Sequence, residues 1–286
     1  MLGAAGALAY AITVVIGRDL AQEGFGAPTV LGIRFSVAGL IVLAVLALLR
    51  RSLLPAPGER VAAFLLGAVG YMVESTFFYM GLERGSAGAV ALLFYAYPAM
   101  VGLTEIATGR RPPSRLLLGA LALSAAGTVL VVAAGEDVTI TAAGAAFSLL
   151  AAACFAVYLM VSHTVMRRTD SLTTAGWVAA GAGLSLLARA VFTGDVQAPG
   201  DDLLPMLANG GATAVAFTCM FAALRRLGPG PTAIVLTLEA VFAVVLAGIF
   251  LDEALRSLQL VGGVAILAAT AIVALRRRAD VELEVP

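Results

Sequence analysis

Apolar residues run along this chain in ten long stretches that are separated by short charged segments. None of the stretches alternates between apolar and polar residues with a period of two, which argues against a transmembrane β-barrel. Each stretch has roughly the 17–25 residues that a helix needs to cross a hydrocarbon layer of ~30 Å. The pattern therefore predicts an all-α integral membrane protein with ten transmembrane helices. The predicted spans are Met1–Gly17, Ala27–Leu49, Val61–Leu82, Gly85–Gly109, Leu116–Gly135, Val138–Met166, Ser171–Gly194, Leu203–Leu224, Leu227–Leu251 and Ser257–Leu275.

The composition supports this class and excludes others. Of the 286 residues, 61% are hydrophobic and only 13% are charged, whereas an ordinary soluble domain carries roughly 25% charged residues. Disordered chains are polar or strongly charged, so disorder is excluded. Basic and acidic residues both number 18, and there is no basic patch to favour nucleic-acid binding.

Arginine placement predicts the orientation. Arginines concentrate in the segments after the second, fourth, sixth, eighth and tenth spans, and these segments include Arg50, Arg110, Arg167, Arg225 and Arg276. The opposite connections hold few arginines. Loops rich in arginine stay in the cytoplasm, so both termini are predicted to be cytoplasmic.

The two halves of the chain resemble each other at an offset of 142–144 residues. Gly81–Val101 aligns with Ala223–Ala243, and Gly32 aligns with Gly176. Each half holds five spans, an odd number, so the halves must insert with opposite topology. We expect a first five-helix repeat at residues 1–137 and a second repeat with a short cytoplasmic tail at residues 138–286. Inverted repeats of this kind are typical of secondary transporters, which bind substrate between the halves.

Two carboxyl groups lie deep in the predicted spans. Glu74 is 13 residues into the third span and Glu239 is 12 residues into the ninth. At 1.5 Å per residue, both lie roughly 18–20 Å from the start of their helices. A charge at this depth costs at least ~2.5 kcal/mol and calls for an explanation. Either carboxyl could exchange protons, pair with the amine of a substrate, or bond to a neighbouring helix as a structural group.

Two arginines also lie inside spans. Arg34 is about two turns into the second span and could receive a substrate carboxylate through a bidentate contact. It could instead hold Glu74 or Glu239 by charge, or reach back to the interface. Arg189 is closer to the end of the seventh span, and we expect it only to reach the interface in this way.

Aromatic residues cluster in the third and fourth spans. Tyr71, Glu74 and Phe78 share one helical face, which could line a substrate cavity. Pro98 can kink its helix and leave a carbonyl without a partner. The remaining candidates for the cavity wall are Tyr95, Tyr97, Tyr10, Tyr158 and Trp177.

Signals for other chemistry are missing. Cys154 and Cys219 lie in apolar runs with a spacing that fits no metal site. There is no nucleotide-binding motif and no cofactor motif, and no catalytic constellation supports an intramembrane enzyme. A scaffold protein would not need two carboxyls at mid-membrane depth. The sequence therefore predicts neither a cofactor nor a metal.

The chain resembles the EamA-like ten-helix exporters of the drug/metabolite transporter superfamily. In that family each half carries a stretch of the form AL-x4-A-x2-A-x-LL-x4-P, which ends a helix later in a Gly-Glu pair. The first copy contains Leu82, Ala87, Ala89–Leu93 and Pro98, and Ala240 stands where the second copy commonly has proline. The remaining matches in the second copy are Leu224, Ala233, Glu239, Leu251, Asp252 and Glu253.

This resemblance implies a secondary transporter that exports small polar or zwitterionic metabolites, with amino acids as the leading class, by alternating access. Proton coupling, cationic drug efflux and flipping of lipid-linked substrates remain alternatives. The resemblance also implies a multi-pass protein of the bacterial inner membrane, and an arginine at the position of Arg34. Glycines of the fifth and tenth spans resemble a packing or dimer surface, so the protein is expected to be a monomer or homodimer. They are Gly119, Gly127, Gly262 and Gly263.

Overall fold

The computed structural model describes residues 2–109, 114–133, 139–250 and 256–284. Within these ranges the elements are helices, with one isolated antiparallel bridge between Gly85 and Ile140. They are α1 (Leu2–Gln22), α2 (Ala27–Leu48), α3 (Arg60–Leu65, a π-helical turn Leu66–Tyr71, and Met72–Leu82), α4 (Ala87–Phe94 and Tyr97–Ala107), α5 (Arg115–Ala133), α6 (Ala142–Val165), α7 (Ser171–Thr193), α8 (Leu203–Leu227), α9 (Pro229–Leu236 and Leu238–Phe250) and α10 (Ser257–Glu284).

The length and composition of these helices fit a multi-pass membrane protein. Among the described residues, nine helices are long and apolar enough to cross a membrane, and they correspond to α1 through α9. The apolar part of α10, Ser257–Ile272, is shorter. The all-helical membrane fold is thus confirmed, while the tenth crossing stays a prediction.

Some sequence predictions lie outside the described residues. These are the repeat boundary at residues 137 and 138, Arg110 in the segment after the fourth span, and the end of the second motif copy at Leu251, Asp252 and Glu253.

Local capping interactions set several helix ends. The predicted sixth span is shortened to Ala142–Val165 because the Thr141 side chain accepts a hydrogen bond from the backbone of Gly144. Asp170 caps α7 in the same way, accepting from the first backbone N–H groups of that helix. Gly194 ends α7 with a positive φ of 75°, which glycine adopts without strain.

Helices α2 and α7 cross where their backbones come into contact. A Cβ atom at residue 39 would lie 2.9 Å from the backbone nitrogen of Ala180, and one at residue 183 would lie 2.6 Å from that of Ser36. Glycine at both positions allows this approach, and close packing is the main attraction between helices in lipid. The two contacts are equivalent in the two halves. Adding 144 to the residue numbers converts Gly39 into Gly183 and Ser36 into Ala180.

The remaining helix contacts come in matching sets. Helix α1 packs against α8 and α9, while α6 packs against α3 and α4. Helix α2 packs against α8, and α7 packs against α3. Each contact in one half thus has an equivalent in the other. If every helix is replaced by the one five places further along the chain, counting on from α10 to α1, the contacts of α1 become those of α6 and the contact of α2 with α8 becomes that of α7 with α3.

Helices α5 and α10 also approach each other through glycine. A Cβ atom at residue 127 would lie 2.7 Å from the carbonyl oxygen of Gly262, and one at residue 262 would lie 2.5 Å from that of Gly127. Gly119, by contrast, has nothing within 4 Å of its own Cβ position. The small residues at 127 and 262 are therefore used for packing within one chain.

Polar contacts join the two halves of the chain at the arginine-rich end, where the loops after α2, α6 and α8 lie. The Glu59 carboxylate accepts hydrogen bonds from the backbone N–H groups of Arg167, Arg168 and Thr169 and from the Thr169 hydroxyl. Burial raises the pKa of the Glu59 carboxyl, but these hydrogen bonds outweigh burial and hold it below its ordinary value of 4.5. We call this set of residues the Glu59 clasp.

A second polar contact joins the halves at the opposite, arginine-poor end. The Thr29 hydroxyl donates to the carbonyl of Asp195, and the Gln197 side chain bonds the backbone at Gly24 and Gly26. Helices α2 and α7 are thus tied together at both ends as well as at their crossing.

We predict that Gly183→Ala destabilises the protein by about 1–3 kcal/mol, because the new methyl group would collide with the backbone of α2. The melting temperature of the detergent-purified protein measures this change. Gly119→Ala is the matched control, since open space surrounds that position in another helix. Equal melting temperatures for the two variants would show that the α2–α7 backbone contact contributes little to stability.

We predict that Glu59→Gln lowers stability by about 1–3 kcal/mol at neutral pH, because a neutral amide loses acceptors for N–H groups that remain buried. The folded-state pKa of Glu59 is lowered, so its stabilisation is present above the ordinary pKa and disappears as pH falls through the lowered value. The gap between the melting temperatures of wild type and variant should therefore close in acid. Glu83→Gln, which alters an exposed ion pair with Arg84, is the control and should leave the melting temperature unchanged. A gap that persists undiminished in acid would contradict the assignment.

Candidate functional site

Aromatic rings from six helices meet in the middle of the molecule. They form a continuous set in which the centroids of neighbouring rings lie 4.5–6.4 Å apart, the range of favourable aromatic pairs. We call this set the central aromatic cluster. Its members are Tyr10, Phe35, Tyr71, Phe78, Tyr79, Phe94, Tyr95, Tyr97, Phe155, Tyr158, Phe217 and Phe221.

The cluster brings together six of the aromatic residues predicted from sequence. They come from α1, α3, α4 and α6, and they are Tyr10, Tyr71, Phe78, Tyr95, Tyr97 and Tyr158. The structure adds rings that the sequence prediction omits. A helical spacing of four links Phe217 to Phe221 on α8, and this spacing is a signal that the sequence already holds.

Trp177 lies apart from the central aromatic cluster. Its indole N–H donates to the carbonyl oxygen of Leu53 at 2.7 Å, in the loop at the arginine-rich end. This position follows from its place only six residues after the start of α7. Trp177 therefore contributes to the contacts between loops and not to the ring set that includes Tyr158.

Helices α4 and α9 are both interrupted beside the cluster. Helix α4 breaks at Tyr95 and Ala96, directly before Tyr97 and Pro98. Pro98 has no N–H group to continue the hydrogen-bond ladder, which accounts for a break at this point. Helix α9 breaks at Thr237, whose hydroxyl lies 2.9 Å from that of Ser124 on α5.

The two breaks occupy corresponding positions in the two halves. The offset of 142 that aligns Gly81–Val101 with Ala223–Ala243 places Tyr95 on Thr237 and Tyr97 on Glu239. The broken helices also touch, since the Tyr97 hydroxyl donates to the carbonyl of Ala233 at 3.3 Å. Paired helix interruptions of this kind mark substrate sites in membrane transporters.

Glu74 and Glu239 begin helical segments next to these irregularities. Glu74 is in the first turn of Met72–Leu82, after the π-helical turn, and only 6% of its surface is exposed. Glu239 is in the first turn of Leu238–Phe250, after the break in α9. The N-terminal end of a helix favours a negative charge, so the position of Glu239 after the break suits a carboxylate, whereas Glu74 lies inside a helix that continues through the π-helical turn.

Arg34 is the cation that acts on both carboxyl groups. It interacts electrostatically with Glu74 and with Glu239, and the two carboxyls also interact with each other. Among the described residues, neither carboxyl has a hydrogen bond or an ion pair within 4 Å. The Arg34 guanidinium lies 4.7 Å from the centroid of the Phe35 ring, and its buried Nε has no hydrogen-bond partner in the described part of the chain.

This arrangement can bind a ligand that carries one negative and one positive charge. The guanidinium keeps N–H donors that could receive a carboxylate, and two carboxyls near it could receive a cation. The aromatic rings supply an apolar wall around these polar groups, which is the usual composition of a small-molecule site.

The EamA-like transporter family model matches this chain twice, at residues 1–133 and again at residues 142–275. The chain belongs to the EamA-like transporter family. As an EamA-like transporter it is a multi-pass membrane protein, and membership indicates a transporter and not an enzyme.

Two kinds of relative support this assignment. The threonine/homoserine exporter RhtA of Salmonella typhimurium is 30% identical over 271 residues, which cover 89% of this chain and 85% of the exporter. A chloroplastic WAT1-related protein of Arabidopsis thaliana is 26% identical over 232 residues, which cover 75% of this chain and 56% of that protein. One solved crystal structure matches with a TM-score of 0.80 at 20% identity, covering 99% of this chain and 97% of the other, and so shares the fold.

We predict that Arg34→Gln destabilises this EamA-like transporter at pH 8 by about 1–3 kcal/mol, because two interacting carboxyls lose their cation. Adding Glu74→Gln to that variant should restore part of the lost melting temperature, since it removes one of the two like charges. Arg256→Gln, at an exposed position before α10, is the control and should melt like wild type. A double variant that melts below the single one would contradict the proposed charge balance.

Proposed function

We propose that this transporter exports small zwitterionic metabolites, with amino acids as the leading class. The observation that carries the proposal is the charge arrangement around Arg34. One guanidinium and two carboxyls interact across the middle of the protein without forming an ion pair within 4 Å, beside a wall of aromatic rings. An amino acid offers the complementary pair of charges at a short, fixed separation.

Each part of such a substrate has a matching group in the site. The α-carboxylate would bind the Arg34 guanidinium, which can form two parallel hydrogen bonds with it. The α-ammonium would bind Glu239 or Glu74, assisted by the faces of nearby tyrosine rings. The side chain would lie against the aromatic wall.

The relatives favour the same substrate class. The exporter RhtA is named for threonine and homoserine, two amino acids with short polar side chains. Its match extends along most of both chains, so the helices that carry Arg34, Glu74 and Glu239 lie within the compared length. We therefore take threonine and homoserine as the first candidate substrates for this transporter.

The proposed mechanism is alternating access between two inverted repeats, residues 1–137 and 138–286. Three observations support it: the family model matches each half, the helix contacts come in exchangeable sets, and the helix breaks occupy corresponding positions. In this mechanism the halves rock about the central site and expose it to one side of the membrane at a time. The broken helices α4 and α9 are suited to such movement because they meet at the site.

The proposed orientation follows from the arginines. Both termini and the arginine-rich end would face the cytoplasm, and the arginine-poor end would face outward. The bacterial inner membrane is the proposed location, with a monomer or homodimer as the working unit. A proton gradient is the proposed driving force, with Glu74 and Glu239 as the groups that exchange the proton for substrate.

We predict that Glu74→Gln and Glu239→Gln each reduce transport about tenfold or more, because each removes a carboxyl that binds the substrate ammonium or exchanges the proton for the substrate. The measurement is counterflow in proteoliposomes with labelled threonine, homoserine, other amino acids, polyamines and cationic dyes, with and without a pH gradient. Glu83→Gln changes an exposed carboxyl that is paired with Arg84, and it should transport like wild type.

Each result of this experiment bears on a different part of the proposal. Amino-acid uptake that responds to the gradient and is lost in both glutamine variants would support proton-coupled export. Uptake that both variants retain would exclude the two carboxyls from transport. Uptake confined to dyes and polyamines would favour cationic drug efflux, which two carboxyls among aromatic rings could also serve.

A further inference from the structure

The Arg189 side chain makes a contact within the protein that a side chain directed toward the membrane interface would not make. Its Nη1 donates to the Thr76 hydroxyl oxygen at 2.7 Å. Thr76 in turn donates its own hydroxyl hydrogen to the carbonyl of Met72, so its oxygen is free to accept. The guanidinium of α7 is thus bound to α3, two residues beyond Glu74.

The depths of the two residues show that Arg189 points inward. Thr76 is six residues before the end of α3 at Leu82, or about 9 Å along the helix. Arg189 is four residues before the end of α7 at Thr193, or about 6 Å. Side chains on helices lean toward the N-terminus, which for α7 is away from the arginine-poor end. The guanidinium therefore lies as deep as Thr76 and does not reach toward the surface.

Within the part of the chain that the structure describes, no ion pair balances the charge of Arg189. In the described ranges its only hydrogen bond is the one to Thr76, so one of its five N–H donors is used. Tyr79, one turn beyond Thr76 on α3, interacts electrostatically with Arg189 and also with Arg34 and Glu74. A guanidinium held this deep is costly, and an anion that visits the site would offset that cost.

We infer that Arg189 and Thr76 form a second carboxylate-binding site, between the central site and the arginine-poor end. This inference deepens the proposed function and rests on it for the identity of the cargo. A carboxylate that leaves Arg34 would bind the free N–H donors of Arg189 before it leaves the protein. The ligand class is any small molecule with a carboxylate, and the corresponding amine without a carboxylate should not bind.

The test uses propionate as the probe, since it carries the carboxylate alone. The melting temperature of the purified full-length protein is measured against sodium propionate, with sodium chloride and propylammonium chloride at equal ionic strength. Wild type should show a saturable rise with propionate only. Arg189→Gln should raise the half-saturating concentration about tenfold, and Arg34→Gln/Arg189→Gln should abolish the saturable rise. The half-saturating concentration of Arg189→Lys should fall between those of wild type and the glutamine variant. Lysine keeps the positive charge but lacks the planar guanidinium that forms two parallel hydrogen bonds with a carboxylate.

Arg256→Gln is the matched control, because it removes an arginine from an exposed position outside both sites. It should respond to propionate like wild type. A response in Arg189→Gln that equals that of wild type would overturn the second site, and so would the absence of a saturable response in wild type. In that case the contact with Thr76 is structural.

Transport separates this inference from the proposed function. Counterflow of threonine should slow about tenfold in Arg189→Gln, while 1-amino-2-propanol, the decarboxylated counterpart, should not be carried by any variant. Propionate binding that depends on Arg189, with no amino-acid transport by wild type, would retain the second site and reject amino acids as the cargo. Threonine transport that is unchanged in Arg189→Gln would retain the proposed function and overturn this inference.

Discussion

The backbone contact between α2 and α7 determines where the charged groups of this protein can lie. Lipid offers no hydrophobic force to drive helices together, so close packing must hold the bundle, and glycines 39 and 183 allow it. Arg34 and Phe35 precede the crossing on α2 and Arg189 follows it on α7. Because polar contacts tie the two helices at both ends, the positions of these three side chains are set by one rigid pair.

The central site combines a rigid wall with charges that are not fully paired. The rings of the central aromatic cluster brace one another across six helices, which limits the freedom of the polar groups beside them. Glu74 and Glu239 face Arg34 without an ion pair within 4 Å among the described residues. Tight pairs would stabilise the protein but would compete with a ligand for the same donors and acceptors. Because the carboxyls and the guanidinium are not paired with one another, they remain available to a ligand.

The sequence predicts the membrane class well, because long apolar stretches are visible without knowledge of the fold. It singles out Glu74 and Glu239 for the same reason, since a single charge in such a stretch is equally visible. It also predicts that Tyr71 and Phe78 share a face, since helical spacing is a local property. The partners of these residues depend on which helices meet. Phe35, Phe155 and Phe217 therefore emerge only with the structure. Trp177 and Arg189 illustrate the same limit, because their contacts with Leu53 and Thr76 join segments that are far apart in sequence.

The π-helical turn Leu66–Tyr71 lets the two ends of α3 serve different neighbours. The turn itself packs against α7, while Tyr71, just at its end, and the following α-helical segment present side chains to the central aromatic cluster. Each residue of an α-helix rotates the chain by about 100°. Adding or deleting a single residue in the first part of α3 would thus turn Glu74 away from Arg34 unless the wide turn absorbed the change. The length of the chain before the turn therefore helps to set the direction in which the Glu74 side chain points.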